Sequence, residues 1–174
     1  MKPVDLARKL RREAAFGPSA LDRGKAVLMA AIRQEVERTR RPAIMPQLPY
    51  EDIRAALSFL DRAFGFHEIP ASRIVGGDGE LLHALVEFGG GVIGVGGQGA
   101  HGAVSPKSAG VESQFISVDI ADLDAHHQRA LAAGAQIASG PRDHATGYRS
   151  YEALDPEGHR WRFLQRMPEV TQSR

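Results

Sequence analysis

An internal repeat of about 70 residues constrains the fold of this chain more than any other feature. The pairs Asp52-Ile53 and Asp122-Leu123 each open a helix-like apolar pattern, and they stand 70 residues apart. Gly65 and Gly134 end the two patterns. The pattern of each copy predicts a strand, a helix and then three more strands. One helix covers one face of such a sheet, so each copy needs the other to complete its packing.

The repeat predicts an α+β protein of paired βαβββ modules, with units at 43–97 and 113–166. Short apolar runs separated by glycine-rich turns mark the strands, and apolar residues three and four apart mark the helices. In the first unit we expect strands at 43–48, 68–75, 81–88 and 91–95, with a helix at 51–64. In the second we expect strands at 113–120, 136–139, 148–154 and 159–166, with a helix at 121–133.

The residues before the repeat predict an N-terminal helical arm over 1–42, and residues 167–174 form a tail. Leu6, Leu10 and Ala14 lie four apart, a second helix fits 20–40, and Pro42 ends it. Residues 1–41 hold 11 Lys and Arg against 5 Asp and Glu, whereas the remainder holds 11 against 16. The arm is therefore either a contact for nucleic acid or an acidic partner, or it is simply a solvated helix face or a segment that docks on its own acidic body or on a second subunit. We expect the second.

Composition excludes several classes of site. The chain has no cysteine, which removes disulfides, zinc-thiolate clusters, iron–sulfur sites and cysteine nucleophiles. No apolar run reaches the 18 or more residues of a membrane-spanning helix. The first residues are charged and do not resemble a secretory signal. We therefore expect a cytoplasmic protein with no membrane contact.

Several short motifs, in their order along the chain, resemble the vicinal oxygen chelate superfamily of glyoxalase I, bleomycin-resistance proteins and extradiol dioxygenases. The similarity is greatest to its bacterial glyoxalase-like branch and covers about residues 43–166. The motifs are Leu48-Pro49-Tyr50-Glu51-Asp52, Arg62-Ala63-Phe64-Gly65-Phe66, Phe88-Gly89-Gly90-Gly91 following His83, Val118-Asp119-Ile120-Ala121-Asp122-Leu123, Ala132-Ala133-Gly134-Ala135 and Asp155-Pro156-Glu157-Gly158-His159-Arg160-Trp161.

The resemblance implies a divalent metal held by two side chains from each unit, but the matching positions do not suit one. They fall on Met45, Gly94, Ser113 and Arg162. None is a good oxygen or imidazole ligand, and Arg162 places a cation where the metal would sit. Moving one residue, to Gln114, would turn the side chain to the other face of the strand. We therefore expect no metal and no other cofactor.

Two classes of function follow from the resemblance. The first is a metal-free protein that binds a small ligand in the cavity between the βαβββ units, as drug-sequestering members of the family do. The second is an enzyme, either a glyoxalase-type lyase or a dioxygenase with a metal, and the sequence leaves open whether the chain is catalytic. A lesser alternative is a regulatory module with a basic arm. Family members usually complete their cavities by pairing, which implies a homodimer.

Strand alternation assigns candidate residues to the cavity face. If Trp161 and Phe163 pack under the helix, Arg160 and Arg162 take the opposite face. We hypothesise that Arg162 replaces the metal as the positive centre of the cavity, paired with Glu87, Glu112 or Glu152, with a carbonyl cluster, or with a bound anion. The candidate ligand-binding residues are Met45, Gln47, Gly94, Ser113, Phe115, Arg160 and Arg162.

The histidines have mostly structural interpretations. Helical phase places His127 inward and His126 on the exposed side, and His159 is expected at the surface. His83 is expected to pack within its strand. His101 and His144 are expected in loops, from which either one could act as a general base over the cavity.

Overall fold

The structure is a computed structural model that describes residues 22, 24–29, 42 and 44–168. The chain divides into two compact units, Met1–Ala43 and Ile44–Arg174. The first expected arm helix lies outside the described residues, and the second is described only at Asp22 and 24–29, which are helical. Of the tail, only residues 167 and 168 are described. No helix in the described part of the chain is long and apolar enough to cross a membrane.

The second unit contains two βαβββ modules, which confirms the predicted fold. The first module consists of β1 (Gln47–Tyr50), α1 (Ile53–Phe59) with a π-helical segment (Leu60–Phe64), β2 (His67–Val75), β3 (Leu81–Phe88) and β4 (Gly91–Gly97). A short 3-10 turn (Ala100–Gly102) and α2 (Pro106–Ala109) link it to the second. The second module consists of β5 (Phe115–Asp119), α3 (Leu123–Ala132), β6 (Gln136–His144), β7 (Tyr148–Leu154) and β8 (Arg160–Arg166).

The two sheets have the same topology. Their strand orders are β1-β4-β3-β2 and β5-β8-β7-β6. The pairs β1–β4 and β5–β8 are parallel and the others antiparallel. Each helix begins at an aspartate N-cap: Asp52 accepts a hydrogen bond from the Ala55 amide, and Asp122 accepts one from the Ala125 amide. The internal repeat is therefore structural as well as sequential.

Two strands differ from the predicted ranges by more than two residues at one end. β1 begins at Gln47 and includes Pro49, which an edge strand tolerates because β4 is its one partner in the sheet. β6 extends through Gly140-Pro141 to His144. Its register with β7 shifts between Ser139 and Arg142, so the proline falls at an irregularity rather than in a regular ladder.

The modules meet through the π-helical segment and α3, whose apolar side chains share one core. Phe64 is fully buried, and its ring centroid lies 5.4 Å from that of Trp161 and 4.9 Å from that of Phe163. Both sheets therefore turn their helix-covered faces toward this common core and their other faces away from it.

A buried carboxylate also joins the modules. Asp155, in the turn before β8, accepts hydrogen bonds from the Tyr50 hydroxyl at 2.6 Å and from the Trp161 indole nitrogen at 3.2 Å. The expectation that His159 lies at the surface is wrong. It is 5% exposed, and its Nε2 donates to the carbonyl of Pro49 at 2.9 Å, so it bonds the second module to β1.

The assignment of faces to the adjacent histidines of α3 is also wrong. His126 is buried and His127 is half-buried. His126 Nε2 donates to the Phe64 carbonyl at 3.1 Å, and its Nδ1 accepts from the Tyr151 hydroxyl at 2.6 Å. Contact with the π-helical segment rotates the inward stripe to Leu123, His126 and Ala130, and leaves Leu131 exposed.

Candidate functional site

The candidate site lies on the face of the second sheet that turns away from the core. Trp161 and Phe163 are fully buried, whereas Arg160 and Arg162 are half-buried on the opposite face. This confirms the predicted alternation along β8. Because β8 lies between β5 and β7, its outward side chains occupy the middle of the sheet rather than its edge.

The strand register gives the neighbours of both arginines. Arg162 is paired with Ser117 of β5 and with Glu152 of β7. One step along the strand, Arg160 is paired with Phe115 and Leu154. Directly paired residues share a face of the sheet, so these six side chains form one contiguous surface. We call it the arginine face.

Arg160 is held by two carboxylates. Its guanidinium donates to both carboxylate oxygens of Glu112 and, through Nη1, to Glu152 at 2.9 Å. These hydrogen bonds raise the pKa of Arg160 above its ordinary value, and the bond to Arg160 lowers the pKa of Glu112. The pairing makes Arg160 a structural cation whose charge is already compensated.

Arg162 has no such compensation. Its Nε is buried and has no hydrogen-bond partner among the described residues. No carboxylate among those residues forms an ion pair with Arg162. The three predicted carboxylate partners are therefore wrong. Glu112 and Glu152 bind Arg160 instead, and Glu87 lies on β3 of the first sheet, opposite His67 and Val92. The main electrostatic feature of the arginine face is therefore that Arg160 is paired with two carboxylates, whereas Arg162 is paired with none among the described residues.

The first sheet presents a different surface. Gln47 is paired with Gly94, and its carboxamide covers that glycine so closely that a Cβ on Gly94 would lie 2.0 Å from Gln47 Oε1. His83 Nε2 donates to the same oxygen at 2.9 Å. Met45 precedes β1 and is half-buried. Sequence reasoning missed the contact between Gln47 and His83, because it joins strands that are not consecutive.

The residues present do not fit the metal that the resemblance implies. Gly94 has no donor atom, and the space beside it is filled by the Gln47 carboxamide. Arg162 brings a positive charge to another of the four positions. Within the described ranges, no three or more His, Asp or Glu side chains are grouped so that they could hold an ion.

The candidate residues fall into two sets rather than one. Met45, Gln47 and Gly94 belong to the first sheet. Phe115, Arg160 and Arg162 belong to the second, and Ser113 is exposed just before β5. The two modules meet through their helices, so within residues 44–168 neither module packs its sheet on the arginine face, and Phe115 is 54% exposed.

Of the two histidines expected in loops, His101 and His144, only His101 lies in the segment that links the modules. His144 lies in β6 rather than in a loop, and its Nε2 lies 2.6 Å from the Ser150 hydroxyl oxygen. Ser150 is 1% exposed, so a substrate does not reach that hydroxyl. His101 is exposed in the linking segment, with a left-handed φ of 56°.

Comparison with known proteins agrees with this architecture. The sequence model described as the Glyoxalase/Bleomycin resistance protein/Dioxygenase superfamily matches residues 43–163. An uncharacterised protein of Mycobacterium bovis is 33% identical over 137 residues, which cover 74% of this chain and 86% of that protein.

Solved structures give the same result. TioX from Micromonospora sp. ML1 superposes with a TM-score of 0.59 at 30% identity, over 73% of this chain and 100% of that chain. A glyoxalase/bleomycin resistance protein/dioxygenase family enzyme from Burkholderia phytofirmans PsJN gives 0.56 at 22% identity, over 70% and 95%, a likeness of fold alone. This chain therefore belongs to the glyoxalase/bleomycin resistance protein/dioxygenase superfamily.

Proposed function

We propose that this protein binds a small anionic or carbonyl-rich ligand without a metal, and that Arg162 is the positive centre of the site. The observation that carries the proposal is the Arg162 guanidinium in the middle of the arginine face, whose buried Nε has no hydrogen-bond partner among the described residues. A half-buried cation without a partner is costly to the folded state, and a ligand that supplies acceptor oxygens removes that cost. On β5, Ser117 lies directly opposite Arg162 and adds a hydroxyl, and Phe115, two residues away, adds an exposed ring.

We also propose that a second copy of the chain completes the cavity. In this homodimer, the face of the first sheet carrying Met45, Gln47 and Gly94 would cover the arginine face of its partner. Three features support the arrangement. Within residues 44–168 the other module does not pack on the arginine face, Phe115 is exposed there, and the short strands β1 and β5 lie at sheet edges.

The competing function is a metal-dependent lyase or dioxygenase, and elemental analysis of the purified protein separates the two. We expect no stoichiometric metal, and no thermal shift with Ni²⁺, Zn²⁺, Mn²⁺ or Fe²⁺ beyond that seen with Mg²⁺. A bound metal at one equivalent per chain would contradict the proposal. So would a large thermal shift with one of these four ions.

A further inference from the structure

The surroundings of Arg162 restrict the chemistry of its ligand beyond the presence of acceptor oxygens. Phe115 and Leu154 flank Arg160 and therefore lie diagonally from Arg162. The strand spacing and the rise per residue place their Cα atoms about 8 Å from that of Arg162. Leu164, two residues along β8, is half-buried on the same face. The free guanidinium is thus bordered by apolar side chains at the distance that a fused or substituted ring spans.

The charges around the arginine face favour a ligand with one negative charge over a ligand with two. Arg160 and Arg162 are matched in number by Glu112 and Glu152, so the four groups together are neutral. Both carboxylates are bound to Arg160, and Glu152 also lies directly opposite Arg162 in the register. A ligand with one negative charge gains the attraction of Arg162. A second negative charge would lie within a few ångströms of Glu152, where like charges repel.

We propose that the ligand is a monocarboxylate with a ring-sized apolar body and that it is selected over phosphate esters. This inference rests on the proposed function. A carboxylate accepts two parallel hydrogen bonds from a guanidinium, and the apolar body then lies over Phe115 and Leu154. Glu152 is the specificity-determining residue, because its charge penalises a dianion while leaving a monoanion bound.

The test compares three probes that share one ring system, titrated calorimetrically into the full-length chain at pH 8. 1-Naphthoate carries one negative charge, 1-naphthamide is neutral, and 1-naphthyl phosphate is mainly a dianion at this pH. We expect naphthoate to bind at least about tenfold more tightly than either of the others.

Three variants assign the effect to residues. Arg162→Gln is expected to remove the preference for naphthoate over naphthamide. Glu152→Gln leaves Arg160 its bond to Glu112 and is expected to tighten binding of naphthyl phosphate about fivefold or more. Arg54→Gln, at an exposed position of α1 in the other module, is expected to change none of the three affinities.

The outcomes separate this inference from the proposed function. If naphthamide or naphthyl phosphate binds as tightly as naphthoate, or if Glu152→Gln does not improve phosphate binding, the ligand class is wrong while the site stands. If Arg162→Gln leaves every affinity unchanged, Arg162 is not the centre of the site. If none of the probes binds, both the class and the proposed site are contradicted.

Discussion

At the scale of single residues, a buried guanidinium nitrogen without a hydrogen bond, Nε of Arg162, lies where the proposed ligand would bind. Arg160 and Arg162 lie two residues apart on one strand and are both half-buried, yet Arg160 binds two carboxylates and Arg162 binds none among the described residues. A fold selected for stability alone would fill the position of Arg162 with an apolar or paired side chain. An arginine at this position is what we expect if the proposed site sacrifices stability for binding.

Replacing Arg162 with Leu is expected to stabilise the ligand-free protein. The change removes a buried Nε without a hydrogen bond and adds an apolar side chain beside Leu164, so the free energy of unfolding should rise by about 1 kcal/mol. Urea unfolding monitored by Trp161 fluorescence measures it. Arg160→Leu, the matched control, should lower stability because it leaves Glu112 and Glu152 without their cation. A loss of stability in Arg162→Leu would show that the guanidinium has a stabilising partner.

His126 is expected to make stability depend on pH. Burial lowers its pKa from 6.5 to about 4, so between these values the unfolded chain binds a proton that the folded chain does not. Stability therefore falls as pH decreases through this window, by about 2 kcal/mol between pH 7.5 and pH 5. Urea unfolding at both pH values measures the loss. Arg129 and His127 also disfavour the charged form, and the carboxylates add a background common to all variants.

The matched variants are His126→Gln and His127→Gln. The first should remove most of the pH-dependent loss, and the second should retain it, because His126 is buried in the core and His127 is not. An unchanged pH dependence in His126→Gln would mean that other groups titrate on unfolding in this range.

At the scale of secondary-structure elements, the sequence was sufficient where a local signal ends an element. Asp52, Gly65, Asp122 and Gly134 mark helix ends through capping and left-handed backbone, and the structure has both helices where they predict them. β6 was predicted too short, because Gly140-Pro141 resembles a turn and only the neighbouring β7 shows that a bulge absorbs it. The phase of α3 was wrong for a similar reason. Steps of three and four are both helical, and the contact with Phe64 decides between His126 and His127.

The turn before β8 is expected to couple the modules energetically. Asp155 is 5% exposed, and its strongest contact is with the Tyr50 hydroxyl at the end of β1. Removing either partner leaves a buried polar group with one hydrogen bond fewer, at a cost of about 1–3 kcal/mol. In a double-mutant cycle of Tyr50→Phe and Asp155→Asn, urea unfolding should give a coupling above about 1 kcal/mol. Additive effects would mean that Asp155 is held by Trp161 and the turn amides alone.

At the scale of the whole molecule, the two open sheet faces are the feature that the sequence predicted only in part. Strand parity identified which residues leave the core, and burial agrees at Phe115, Arg160 and Arg162. Parity could not show that the modules meet through the π-helical segment and α3, because that contact depends on packing between distant segments. Nor could it show that Arg160 binds both Glu112 and Glu152, because that depends on how far these side chains reach from the segment before β5 and from β7.

If the site is built from the first sheet of one chain and the second sheet of another, mixing subunits of two inactive variants should restore it. Gln47→Glu places a negative charge on the first face, and Arg162→Gln removes the cation from the second, so neither homodimer should bind 1-naphthoate. After equal amounts exchange subunits, half of the dimers are mixed and each has one unaltered site. Calorimetry should therefore recover about a quarter of the wild-type sites. No recovery in the mixture, or a monomeric mass for the wild-type protein, would contradict the account.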